Sequence, residues 1–145
     1  MNADMLNQTV NEIFETMYFM FPEQIKKPDS HFSLPVHCYV ACTSFIKEKG
    51  ATIIFAENNL VNQMAMNFLG EKRIFEDIEL FDIMREATNV IVGNYITATN
   101  KPPEVSFEIP VVDKTTMISW DKDSTYYIDS IYDIEKYFFR IALAG

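Results

Sequence analysis

Leu6, Val10, Ile13, Phe14 and Met17 recur at spacings of three and four, which predicts an amphipathic helix from about residue 4 to residue 19. Phe21-Pro22 ends it, because the residue before a proline is pushed away from helical geometry. A polar loop follows through Lys26, Lys27, Pro28, Asp29 and Ser30. Val36 to Ile46 is then rich in β-branched and aromatic residues, and Lys47-Glu48-Lys49-Gly50 supplies a turn before Ala51-Thr52-Ile53-Ile54-Phe55. Two such runs around a short glycine-bearing turn predict a hairpin. Asn58 or Asn59 is suited to cap a further helix running to Leu69, with Gly70 as its stop and Leu60, Met64 and Phe68 as its buried stripe. Residues 71–77 read as a charged connector.

The next helix, to about Tyr95 or Thr97, separates its two kinds of residue cleanly. At roughly 100° per residue, Asp82, Glu86, Asn89 and Gly93 fall within an arc of about 60°. Leu80, Ile83, Met84, Ala87, Val90 and Ile91 fall on the far side. A solvated face usually carries Lys, Glu and Gln, which favour helix. Here a carboxylate, an amide and a glycine stand in their place, and Gly93 would let another backbone approach closely. Val92 and Ile96 flank the stripe as candidate partner contacts. By themselves these residues fit either a solvated face or a docking surface.

Asn100, Pro102 and Pro103 break that helix. Val105 to Val112 alternates like a strand, and residues 117–120, 126–131 and 136–143 read as further short strands, with a turn over residues 121–124. The order predicts one α+β domain over residues 1–145, with helices packed on one face of a mostly antiparallel sheet.

Hydrophobic content of 48% and aromatic content of 14% place the chain with folded domains. A net charge of −9 argues against nucleic acid and against an anionic membrane surface, since no basic cluster exceeds pairs such as Lys26-Lys27 or Lys72-Arg73. No apolar run approaches the roughly 18–20 residues of a membrane span. Asn2-Ala3-Asp4 lacks a basic signal region, so a cytoplasmic protein is expected.

His31, His37, Cys38 and Cys42 lack the second ligand pair of a zinc site, so the cysteines are expected as small core residues on one strand face. No local signature supports a Cys–His or Ser–His pair, and four dispersed glycines exclude a phosphate-cradling loop. Tyr126, Tyr127, Tyr132 and Tyr137 read as sheet material with the alternative of a subunit interface.

The run Phe81-Asp82-Ile83-Met84-Arg85-Glu86-Ala87-Thr88-Asn89-Val90-Ile91-Val92-Gly93-Asn94 resembles the signature of the CheC/CheX family of chemotaxis phosphatases. Asp82, Glu86 and Asn89 match in type and spacing, and Pro110 stands slightly closer than the family's proline. Val10-Asn11-Glu12-Ile13-Phe14-Glu15-Thr16-Met17 and Met66-Asn67-Phe68-Leu69-Gly70 are also similar to CheX-type segments, so the likeness spans about residues 10–112. A single signature resembles CheX and not the two-signature members.

The resemblance implies hydrolysis of the aspartyl phosphate on a CheY-like receiver domain, in chemotaxis or another two-component pathway. It implies that Glu86 docks a receiver lysine while Asn89 positions the water, with Asp82 and Gly93 as partner contacts. Magnesium would belong to the receiver, leaving this chain without a cofactor of its own. A homodimer joined through sheet edges is also implied. The alternative is a non-catalytic receiver-binding adaptor of the same fold.

Overall fold

A computed structural model of the chain describes residues 3–25, 32–34, 37–46, 50–99, 106–116, 118–120 and 126–144. In chain order the elements are α1 (Ala3–Met17), β1 (Pro22–Ile25), β2 (Phe32–Leu34), β3 (Cys38–Ile46), β4 (Ala51–Glu57), α2 (Asn58–Leu69) and α3 (Asp77–Thr99). β5 (Ser106–Phe107), β6 (Val111–Thr115), β7 (Ile118–Trp120), β8 (Tyr126–Ile134) and β9 (Tyr137–Ala144) complete it. Seven strands form an antiparallel sheet in the order β1-β8-β9-β4-β3, with β5 and β6 both on the free edge of β3. β2 and β7 pair separately.

Period-two alternation decides which side of the sheet the helices cover. Tyr39 and Ala41 of β3, Ile54 and Ala56 of β4, and Phe139, Ile141 and Leu143 of β9 all point to one side. They join Leu6, Val10, Ile13 and Phe14 of α1, Leu60, Val61 and Met64 of α2, and Leu80, Ile83, Met84, Ala87 and Ile91 of α3 in one core. The α+β arrangement with helices on one face of an antiparallel sheet is therefore observed.

Several local expectations need correction. The strand expected over residues 105–112 is two short strands, because the pairing slips between them. Phe45 opposes Phe107 but Cys42 opposes Val111, so three steps on β3 face four on its neighbour. The extra residue falls in the Ile109-Pro110 step, where Pro110 has no amide to give the ladder. Thr43 Oγ1 donates to the Glu108 carbonyl at 2.6 Å, and the Glu108 amide donates to the Ser44 carbonyl at 2.9 Å, which secures the offset.

Lys136 belongs to a turn and not to a strand. Glu135 and Lys136 both have positive φ (53° and 76°), the geometry of a tight hairpin turn, and the Lys136 amide donates to Asp133 Oδ1 at 2.8 Å. Asn58 is already helical, and Glu57 ahead of it makes no side-chain capping bond. Gly70 does stop α2, at φ 70° with its amide on the Met66 carbonyl at 2.9 Å.

Phe68 is exposed, because the buried stripe of α2 runs through Leu60, Val61, Met64 and Ala65 instead. Cys42 is exposed as well, since the outward side of β3 is open at that position, whereas Cys38 is buried. Val92 and Ile96 are buried with Phe45 in a second small cluster against Phe107 and so do not offer partner contacts. The loop over residues 26–30, His31 and the turn over 121–124 lie outside the described residues.

Candidate functional site

The site is built on α3, and the chain spends several interactions on fixing that helix. Tyr39 Oη donates to Asp77 Oδ1 at 2.6 Å, and Lys114 Nζ reaches the same carboxylate at 3.1 Å, pinning the start of α3 to β3 and β6. The Tyr39 ring meets Phe81 edge-on at 5.5 Å. Ahead of the helix, Phe75 is buried and its amide donates to Asn62 Oδ1 at 3.1 Å, while Arg73 lies over its ring and bridges to Glu79 at 2.9 Å. The Glu79 carboxylate also accepts from the Glu76 amide at 2.9 Å, satisfying one of the free donors of the first turn.

More than half of the circumference of α3 is packed. Thr88, which faces inward, bonds the Met84 carbonyl at 2.8 Å and so hides its hydroxyl. The open strip carries Asp82 and Glu86, both exposed, and Asn89 and Gly93, both half-buried. The four residues named from the sequence therefore do share one outward strip.

They are not equivalent within it. Asp82 Oδ1 is held by Arg85 Nη1 at 2.7 Å. Among the described residues, Glu86 and Asn89 make no side-chain hydrogen bond or ion pair. At Gly93 the nearest neighbour is the Phe107 ring of β5, 3.8 Å from where a Cβ would stand. That is ordinary contact, so the position tolerates a methyl group and the approaching group is a side chain, not a backbone.

Two features of the surroundings were missed in the sequence. The first is Tyr18, just past α1. α1 lies alongside α3, and a cleft of about 360 Å³ joins Met5, Thr9 and Ile13 to Asn94 and Ala98. At the other end of α1, the buried Tyr18 phenol is held well above its ordinary pKa, first by burial and then by the negative charge of Glu86. The second is Ile78, 69% exposed. It sits one turn before Asp82, roughly 40° from it around the helix, so the same wheel that selected Asp82 and Glu86 contains it.

Among the described residues no group of three or more His, Cys, Asp and Glu side chains converges as for a metal ion. His37 is exposed, and burial, with Glu57 adding to it, pushes the Cys38 thiol up to about 12, which makes it a core residue and no nucleophile. No helix among the described residues is long and apolar enough to cross a membrane. The strip can therefore offer one amide, one carboxylate and a tethered second carboxylate to another molecule.

Comparison with known proteins agrees with this fold. CheX from Vibrio vulnificus superposes with a TM-score of 0.73 at 17% identity, over 97% of this chain and 95% of that one. CheX from Desulfovibrio desulfuricans gives 0.70 at 15% identity, over 98% and 97% of the two chains. A CheX crystallised with CheY, BeF3 and Mg2+ from Borrelia burgdorferi gives 0.52 at 16% identity, over 97% and 95%. No curated protein sequence matches. The family model for the chemotaxis phosphatase CheX matches residues 36–128, a span that holds the whole α3 strip, and the chain belongs to the CheX family.

Proposed function

We propose that this chain hydrolyses the aspartyl phosphate of a CheY-like receiver domain, with Asn89 holding the attacking water and Glu86 engaging a receiver lysine. The observation that carries this reading is the difference in pairing along one strip. Asp82 is tied to Arg85, whereas Glu86 and Asn89 are presented without a side-chain partner among the described residues. A relative in this fold was crystallised with CheY, BeF3 and Mg2+.

The chemistry suits the residues. Water attacks phosphorus, the aspartyl oxygen leaves as carboxylate, and the products are aspartate and inorganic phosphate. The transition state is loose, so positioning and charge balance dominate catalysis. Asn89 has a carbonyl oxygen to accept from the water and an NH2 to donate to an oxygen, without adding negative charge beside the phosphoryl group. Glu86 would repel that group alone, and a receiver lysine between them removes the repulsion. Asp82, steadied by Arg85, and Gly93 border the contact. The magnesium that balances the phosphoryl charge comes with the receiver substrate.

The test is release of labelled phosphate from a phosphorylated receiver, with wild-type protein and Asn89→Ala. Acceleration by the wild type and its loss in the variant support the phosphatase reading. Tight binding with no acceleration on any receiver of the same genome would instead make the chain an adaptor. A homodimer through the sheet edges belongs to the same proposal, and it is supported by β6, which pairs only with β3 among the described residues and exposes Val111, with exposed Ile109 just ahead of it. Gel filtration that finds only monomer at high concentration counts against it. The working compartment we propose is the cytoplasm, where receiver domains act.

A further inference from the structure

The ends of α1 and α2 meet beside Glu86, and they leave an apolar groove there. It encloses about 640 Å³ and is lined by Phe19, Gln63, Met66, Asn67, Gly70 and Lys72. Phe19 is 65% exposed and stands at φ 56°, a left-handed backbone that a bulky residue rarely adopts. The turn is held by the Met20 amide on the Phe14 carbonyl at 3.0 Å and by Asn67 Nδ2 on the Tyr18 carbonyl at 2.7 Å. Its effect is to send neighbouring rings in opposite directions. Tyr18 goes inward against Phe14 and Phe68, at 5.6 and 6.0 Å, while Phe19 goes out to the groove wall.

A strained backbone that exposes a large apolar side chain costs stability twice, and such sites mark contact surfaces. Tyr18 links the groove to the α3 strip: its carbonyl accepts from the groove residue Asn67 and the groove residue Phe19 follows it, while its buried phenol lies near enough to Glu86 to feel that charge. Exposed Ile78 flanks the strip in the first turn of α3. A central polar pair bordered by apolar contacts is how binding surfaces exclude water from the groups that do the chemistry. Lys72 is the charged member of the groove, and its sign suits a partner that is acidic around its phosphorylated aspartate.

We propose that this groove receives an apolar side chain of the receiver domain, projecting beside its acidic phosphorylation pocket, while Glu86 and Asn89 enter that pocket. The proposal rests on the phosphatase reading and extends its contact surface from one helix to the junction of three. The groove and Glu86 together supply affinity, and Asn89 sets turnover.

The experiment uses the full chain and receiver domains of the same genome, each phosphorylated with acetyl phosphate. Phe19→Gly suits a left-handed position and so removes the ring while relieving the turn. Phe19→Gly and Lys72→Glu should each raise KM roughly tenfold, with kcat within about twofold and no loss of thermal stability. Cys42→Ser, exposed on the side of β3 away from the helices, should change neither constant. Unchanged KM in both groove variants overturns the groove, and Asn89→Ala then still reports on the phosphatase reading through kcat. A wild-type protein that accelerates hydrolysis on no receiver overturns both.

Discussion

The molecule carries two charged assemblies built on opposite rules. On the side of the sheet away from the helices, Arg140 donates through Nε and Nη2 to the two oxygens of Asp129, at 2.9 and 2.8 Å. Both side chains are buried, 4% and 1% exposed, and the guanidinium lies 5.4 Å from the Phe55 ring and 5.6 Å from that of Tyr126. On α3, Glu86 stands exposed, and its oxygens are uncommitted among the described residues. A carboxylate with both oxygens bonded in a dry setting has become part of the framework. One left open on a rigid helix keeps its bonding capacity for a visitor. The difference separates structure from function better than residue type does, since both assemblies are built around carboxylates.

Halving the buried pair should have the largest effect. Asp129→Ala strands a buried guanidinium and should cost about 3–5 kcal/mol. For a chain of this size that is a drop of roughly 10 °C in the melting temperature, measurable by calorimetry or urea unfolding. A loss under about 1 kcal/mol would mean the pair is far better hydrated than its burial states. The opposite outcome is expected for Asn89→Ala. Receiver dephosphorylation should fall about a hundredfold, with stability unchanged within about 0.5 kcal/mol. Stability that fell with activity would move Asn89 into the framework class.

Glu86→Ala sharpens the division inside the strip. KM should rise roughly tenfold, about 1.4 kcal/mol of docking energy, with kcat less affected. Glutamine at the same position should behave like alanine if charge is what the receiver lysine reads. Recovery of wild-type KM in Glu86→Gln would assign the role to hydrogen bonding instead.

The strip was legible in the sequence because one helix encodes both its inside and its outside, and a wheel needs no tertiary information. The β3–β4 hairpin was legible for the same local reason. β1 was not, because Pro22–Ile25 shows no alternation and holds its place through backbone pairing with β8, more than a hundred residues later. The Glu135-Lys136 turn carries none of the glycine or asparagine that normally announces positive φ. Phe19 hid the groove in the same way, since a phenylalanine forced into left-handed geometry leaves no trace in composition. Val92 and Ile96 were misjudged because their covering partners, Phe45 and Phe107, come from strands that flank α3 only after folding.

Between the two extremes lies Asp77, whose exposed carboxylate is held by the buried Tyr39 hydroxyl and then by Lys114. Those bonds keep its pKa below the usual aspartate value, the Tyr39 hydrogen bond first and the Lys114 hydrogen bond second, against an opposing effect of burial. A carboxyl depressed on folding adds stability that is fully present above the unfolded aspartate pKa of about 4 and disappears as the pH falls through the lower folded value. Tyr39→Phe keeps the ring against Phe81 and deletes the leading cause. The wild type should therefore melt above the variant at pH 7, and the gap should close on acidification below the usual aspartate range. Solvent and salt screen an exposed carboxylate, so this is the smallest of the expected effects. A gap that stays constant down to low pH would show that the Tyr39 hydroxyl acts through packing alone, and Asp77 would then belong with the uncommitted carboxylates of the surface and not with the framework.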